Sequence, residues 1–364
     1  MNFAIYRLPH NEGATTLVRQ SAGQPSLLRG ITELSGQSGF CMAPFVADAD
    51  TPIIIIRPDA VDSFQVYDDD SCRLLADTLR LPDVEAGEPL SVQKRAGNRR
   101  KYNIDFANFY AQLQQHRFEK LVLARSAFEP APRRVNPVAL FVEACRRYPR
   151  LFVALVGTEQ TGLWLVATPE VLIEHTDSFW HTIALAGTMF GGSSPRAIAD
   201  DRVPSISQWS GKDLTEQQIV STYVAKCVQR YAGDLRIEGP RSVRAANLFH
   251  LRTDFTFTLN DSAQIGQLLS DLHPTPAVCG LPKREARDFI MANEHEPRGY
   301  YSGFLGPIAL GQKQSTHLYV TLRCMNILHS GYRLYAGGGL LPQSSVESEW
   351  QETENKMATM RNLL

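Results

Sequence analysis

The chain has 364 residues, 43% of them hydrophobic, which is enough for one large folded domain or two ordinary ones and excludes a disordered tail or a small stapled scaffold. Its 37 lysines and arginines are set against 38 acidic residues, a formal net charge of −1, so no basic excess exists to neutralise a phosphate backbone and nucleic acid is not an expected partner. The six cysteines, Cys41, Cys72, Cys145, Cys227, Cys279 and Cys324, show no C-x-x-C pair or zinc-like spacing and read as free thiols in a reducing compartment. Residues 1–7 lack the charged-then-apolar pattern of a leader, and the apolar runs at 53–56 and 151–156 are too short to span a bilayer, so a soluble cytoplasmic protein is expected.

In chain order, the first 95 or so residues are short apolar strings broken by Gly, Pro and Asp, notably 39–45 and 52–58, the pattern of strands joined by turns. Between 84 and 101 the composition turns to Glu, Gly, Lys, Arg and Asn, which marks a surface connection or a polar helix start and divides 1–101 from 102–364. Residues 104–117 carry Ile104, Phe106, Phe109, Tyr110 and Leu113 at helical spacing, and 120–125 read as a strand. Asn136 followed by Pro137 predicts a capped helix over 137–147, then a hairpin of 151–156 with 162–167, and strands at 170–175 and 179–184. Residues 191–205 are a Gly, Ser, Pro and Asp-rich loop, and 212–231 form a helix with Ile219, Tyr223, Val224 and Cys227 on one side. A last helix over 346–364 has Ser344 or Ser345 as its cap and Trp350, Thr353, Met357 and Met360 near helical spacing. Strands mixed with helices and hairpins favour an α+β architecture over a regular βαβ array.

Acidic residues recur three apart on two of these helices, Asp213 with Glu216 and Glu349 with Glu352. Residues so spaced share a helix face, and like charges there repel. Facing one another, the two helices would gather four carboxylates suited to a hard cation such as Mg²⁺; standing apart, they would be ordinary solvated charge. Spacing alone leaves both readings open.

The text around them resembles the chorismate-utilising enzymes, and among their branches the isochorismate synthases, over nearly all of 119–356. The segments that carry the resemblance, in order, are Glu119-Lys120-Leu121-Val122-Leu123-Ala124-Arg125, Ala167-Thr168-Pro169-Glu170, Ala184-Leu185-Ala186-Gly187-Thr188, Lys212-Asp213-Leu214-Thr215-Glu216, Leu272-His273-Pro274-Thr275-Pro276-Ala277-Val278, Gly280-Leu281-Pro282, Arg298-Gly299-Tyr300-Tyr301-Ser302-Gly303, Leu334-Tyr335-Ala336-Gly337-Gly338-Gly339, and Glu349-Trp350-Gln351-Glu352-Thr353-Glu354-Asn355-Lys356. Residues 1–101 match none of the family's motifs, as is usual for its variable N-terminal part.

The resemblance implies an α+β fold in a single large domain, two mostly antiparallel sheets sandwiching helices. It implies that Glu216 and Glu352 bind Mg²⁺, with Asp213 and Glu349 supporting the ion through water, and that the ion holds the ring carboxylate of chorismate. Lys120 is implied as the base that activates water for attack at C2, and Glu170 as the acid that protonates the departing C4 hydroxyl. Arg323 and Tyr301 resemble ligands of the second carboxylate, while Gly187, Thr188, Gly337, Gly338 and Gly339 resemble backbone donors that approach an anion closely. His250 resembles a pocket histidine, and Lys356, one turn beyond Glu352, is placed to meet a carboxylate.

Two local departures stand in the first acidic helix: Gln217 where the family usually has His, and Leu214 where Arg is common. Lys120 together with Ala186 favours water over ammonia as nucleophile. A salicylate synthase, which goes on to eliminate pyruvate, is the alternative within the family, and a catalytically idle relative acting as a binding protein is the alternative outside it. The implied pathway is menaquinone or siderophore biosynthesis, and a monomer is the default.

Overall fold

The computed structural model of the protein describes all residues except 12, 177, 193–201 and 312–313, and leaves aside the side chains of 92–96. Two nine-stranded sheets dominate it. The first runs, in spatial order, Gly280–Leu281, Lys120–Pro130, Gly331–Leu340, Cys324–Leu328, Gly162–Thr168, Phe152–Thr158, Asn2–Arg7, Ala14–Gln20 and Ala60–Gln65. The second runs Ala232–Ala245, Leu248–Leu259, Phe179–Phe190, Val171–Thr176, Thr316–Val320, Phe304–Ile308, Gly39–Ala43, Ile53–Ile56 and Ser26–Leu28. All pairings among the described strands are antiparallel, as the α+β reading requires.

Strand alternation decides how the layers stack. Ala4, Ala154 and Val166 of the first sheet bury against Phe40, Ile54 and Leu185 of the second in one cluster, so the sheets meet face to face. Their alternate neighbours point outward. Ile5, Leu155 and Leu165 pack under Leu75 of the Asp69–Leu79 helix, Phe141 of Pro137–Arg147 and Met357 of Val346–Arg361. Ile55, Ala184 and Phe255 pack under Val220 and Val224 of Gly211–Gln229 and Leu268 of Ile265–Leu272. The helices therefore cover the outer faces rather than lying between the sheets, because both faces of most central strands are apolar and each needs a cover.

Several expectations meet the structure closely. Asn136 caps the Pro137–Arg147 helix by accepting from Val138 N at 2.9 Å, and Phe152–Thr158 pairs with Gly162–Thr168 as a hairpin. The helix expected at 104–117 spans Val92–Gln114 instead and absorbs the polar stretch before it; Tyr102, Phe106, Phe109 and Leu113 anchor it, while Ile104 is exposed. In the Gly211–Gln229 helix the buried face runs through Gln217, Val220, Val224 and Val228, with Ile219 only half-buried. The strand Ala232–Ala245 lies at a sheet edge and is largely exposed, so its sequence lacks an apolar alternation. Most of the loop expected at 191–205 lies outside the described residues. Asn2–Arg7 pairs with Phe152–Thr158 and Gly39–Ala43 pairs with Phe304–Ile308, so residues of 1–101 complete both sheets.

All six cysteines are free, five of them buried. No helix among the described residues is long and apolar enough to cross a membrane.

Candidate active site

Glu170 enters from the turn between Gly162–Thr168 and Val171–Thr176, which are strands of different sheets, so the acid stands where the chain passes from one sheet to the other. It is buried, and the cavity it lines is also lined by Gly187, Thr188, Glu216, His250, Tyr301, Arg323, Gly337, Gly339 and Lys356. Burial pushes the Glu170 carboxyl up to about 7 against the pull of Lys120, Lys356 and Arg323. A carboxyl in that state is protonated at mildly acidic pH and can donate.

Lys120 opens the Lys120–Pro130 strand and is completely buried. It does not snorkel to water. Its ammonium sits 2.8 Å from Glu216 Oε1 as an ion pair without hydrogen-bond alignment, and so borders the cavity through Glu216. Glu216 comes from the first turns of Gly211–Gln229, where Ser210 caps the helix by accepting from Asp213 N.

The acidic pairs are not a solvated surface. Glu216 and Glu349 are buried, and the Gly331–Leu340 strand brings the two helices' carboxylates together. A Cβ on Gly338 would stand 3.0 Å from Glu349 Oε2 and 3.6 Å from Glu352 Oε1; one on Gly339 would stand 2.1 Å from Glu216 Oε1. The triplet lies within the strand ladder, Gly337 opposite Ala124 and Gly339 opposite Val122, so its glycines matter by the room they leave. Each glutamate meets a lysine: Lys120 with Glu216 at 2.8 Å, Lys212 with Glu349 at 2.7 Å, Lys356 with Glu352 at 2.7 Å. Burial and the neighbouring Glu352 raise Glu349, whereas Lys356 and Lys212 outweigh burial and hold Glu352 low.

Thr188 serves these acids directly. Thr188 N donates to Asp213 Oδ1 at 3.3 Å and its hydroxyl to Glu352 Oε1 at 3.2 Å. Gly187, at φ +69°, accepts from His250 Nδ1 at 2.6 Å. That bond fixes the imidazole tautomer, so His250 Nε2 accepts from Arg323 Nη2 at 2.7 Å. Burial and Arg323 drive His250 down to about 3, leaving it neutral. Arg323 is buried, is lowered by burial to about 10 and remains charged at neutral pH; its backbone takes a left-handed φ of +47°, strain of the kind concentrated at functional positions. Tyr301 stacks on Tyr335 with centroids 5.4 Å apart. Its loop is fixed by Arg298, which donates to Val122 O and Val278 O and pairs with buried Glu294.

Mg²⁺ is the cation the resemblance implies, and the donor set suits it: buried carboxylate oxygens from two helices, with Glu349 Oε2 buried and lacking any hydrogen bond of normal geometry. As the side chains stand, no three such groups among the described residues converge on one point at ligating distance, and each glutamate is paired with a lysine.

Gln217, the first departure, is buried and structural, donating to Ala184 O at 3.1 Å and Thr253 Oγ1 at 3.0 Å. Leu214 packs on the cluster of Trp209, Phe249 and Leu251. Neither lines the cavity. Lys212 and Tyr335, which belong to the matched segments without an expected role, also sit at the site; the signal for Lys212 is its place one residue before an acidic helical pair.

A family model described as "Chorismate binding enzyme" matches residues 64–364. The chain belongs to the chorismate-binding enzymes. Among its relatives in that family are the isochorismate synthase MenF of Escherichia coli, 30% identical over 68% of this chain and 56% of the relative, and the isochorismate synthase DhbC of Bacillus subtilis, 30% identical over 69% and 64%. The chain thus spans less than two thirds of the length of these curated relatives. Its fold is similar to that of a putative 2,3-dihydroxybenzoate-specific isochorismate synthase from Bacillus anthracis, with a TM-score of 0.76 at 21% identity, over 100% of this chain and 96% of that one.

Proposed function

We propose that this chorismate-binding enzyme is an isochorismate synthase, an isomerase that adds water at C2 of chorismate as the C4 hydroxyl departs. The observation that carries the reading is a buried carboxyl raised to about 7, Glu170, lining a cavity that the buried Lys120 borders through Glu216, close enough for its charge to act on Glu170. In the proposed reaction Lys120 takes a proton from water, the new C2–O bond forms, the ring electrons shift, and the C4–O bond breaks as Glu170 protonates the leaving oxygen. One water enters and one leaves, so the change is an isomerisation. Lys120 can accept that proton only as the free amine, once its hold on Glu216 is released.

Arg323, oriented by His250, is the fork for the side-chain carboxylate, and Tyr301 closes that end of the cavity. Glu216 and Glu352, with Asp213 and Glu349 behind them, are the groups that would hold Mg²⁺, which would neutralise and orient the ring carboxylate. The departures at Gln217 and Leu214 lie outside the cavity, which supports an active enzyme over an idle relative.

Incubating the purified protein with chorismate and Mg²⁺, without ammonia, and resolving products by chromatography tests the reading. Isochorismate is expected, with Lys120→Ala abolishing its formation. Salicylate plus pyruvate would assign the chain to the pyruvate-eliminating branch; no turnover would favour a binding protein.

A further inference from the structure

Among the three lysines that face the glutamates, Lys212 has no part in the reaction. It lies on the first turn of Gly211–Gln229, directly before Asp213, and reaches across to Glu349 Oε1 on the C-terminal helix at 2.7 Å. Glu349 and Glu352 stand against the Cβ position of Gly338, and Glu216 against that of Gly339. The carboxylates of all three act on the Lys212 ammonium and hold it protonated against the effect of burial. Glu349 Oε2, in the same place, is buried with no hydrogen bond of normal geometry.

The three lysines differ in how firmly they are held. Lys120 is wholly enclosed. Lys356 is fixed twice, by Glu352 and by Gly337 O at 2.8 Å. Among the described residues Lys212 makes one side-chain hydrogen bond, to Glu349; its side chain keeps 19% of its surface in solvent, much as Lys356 keeps 18%, so the single bond is what sets it apart. Its flexible stem can carry the charge outward.

We propose that Lys212 is a resident counter-cation: its ammonium fills the divalent ion's place between the two acidic helices and swings out to solvent when the ion binds, so that ion uptake is an exchange of one cation for another. The inference rests on the Mg²⁺ reading above. The physical ground is that buried carboxylates facing one another repel, so the ion-free site needs a positive charge to stay folded. A divalent ion and an ammonium a few ångströms apart repel in turn, and one must leave. Exchange makes the site weaker for the ion than its carboxylates alone would be, which suits an ion that is to be held jointly with a dianionic substrate.

Mn²⁺ binding, read without substrate by the electron paramagnetic resonance signal of the free ion, tests this on the wild type, Lys212→Met and Glu352→Gln. The wild type is expected to bind, Glu352→Gln to bind more weakly, and Lys212→Met to bind about tenfold more tightly or better. Unchanged or weaker binding by folded Lys212→Met, with Glu352→Gln still weakened, overturns the exchange and leaves the metal reading intact; no binding by the wild type or Lys212→Met overturns both. A second measurement needs no variant. Acetylation of Lys212 in the wild-type protein, followed by mass spectrometry, is expected to run several-fold faster with Mn²⁺ present, and an unchanged rate refutes displacement.

Discussion

Gly339→Ala probes the site's geometry most directly. The added Cβ would lie 2.1 Å from Glu216 Oε1 and 2.9 Å from Lys120 Cε, where contacts below 3.0 Å are essentially never found. The Glu216 carboxylate must retreat by roughly 1 Å, stretching its 2.8 Å contact with Lys120. At an effective dielectric of about 20 the attraction falls from about 6 to about 4.4 kcal/mol. Outright rupture would strand a buried charge at about 3–5 kcal/mol. Removing a strand glycine returns about 0.5–1 kcal/mol, so the net loss is about 1 kcal/mol if the contact only stretches and about 2–4.5 kcal/mol if it breaks, with turnover of chorismate reduced at least tenfold because Lys120 and Glu216 both move. Gly338→Ala, 3.0 Å from Glu349 Oε2, should lie between this and Gly211→Ala, whose Cβ meets nothing within 4 Å. Urea denaturation and product chromatography on the three variants give the ranking. If Gly339→Ala matches the wild type in both stability and turnover, the glycine does not make room for the carboxylate and the reasoning fails.

Further outcomes follow from two buried groups. Because Glu170 donates only when protonated and is raised to about 7, kcat should fall as pH rises through about 7, and Glu170→Gln should lose about 10²–10⁴-fold in turnover below about 7, the gap narrowing as the wild type falls above it. Its linkage has the opposite sign to that of an ion-paired carboxylate: the folded state keeps a proton that the unfolded chain releases near 4.5, so stability drains away between about 4.5 and about 7. That decline should be absent from Glu170→Gln in denaturation measured across pH, and its persistence there would assign it to another group. His250→Ala removes the acceptor that orients Arg323 and is expected to raise the KM for chorismate by about 10–100-fold with a smaller change in kcat. His250 in the wild type is neutral above about 3, so that KM should show no titration near 6.5; a kcat effect without a KM effect would remove Arg323 from substrate binding.

Much of this was legible in the chain itself. Apolar spacing and capping placed the Pro137–Arg147, Gly211–Gln229 and Val346–Arg361 helices, because those signals are local. The ordered motifs from Lys120 to Lys356 pointed to the family, since each is a short run whose text survives without its neighbours. What local text could not reach was anything set by a partner distant in sequence. The ion pair of Lys120 with Glu216, almost a hundred residues on, and the carboxylates of two helices that stand against Gly338 and Gly339 are of that kind.

The balance of 37 basic against 38 acidic residues leaves no basic excess, and that much composition determines alone, because net charge is additive. The pairing of each charge is a tertiary matter. Only the packing of the Gly211–Gln229 and Val346–Arg361 helices around one glycine strand sets Glu216, Glu349 and Glu352 each against its own lysine, and only the face-to-face contact of the sheets puts Glu170 out of water. Spacing along a helix says which side chains share a face; what that face meets is fixed by where the rest of the chain returns.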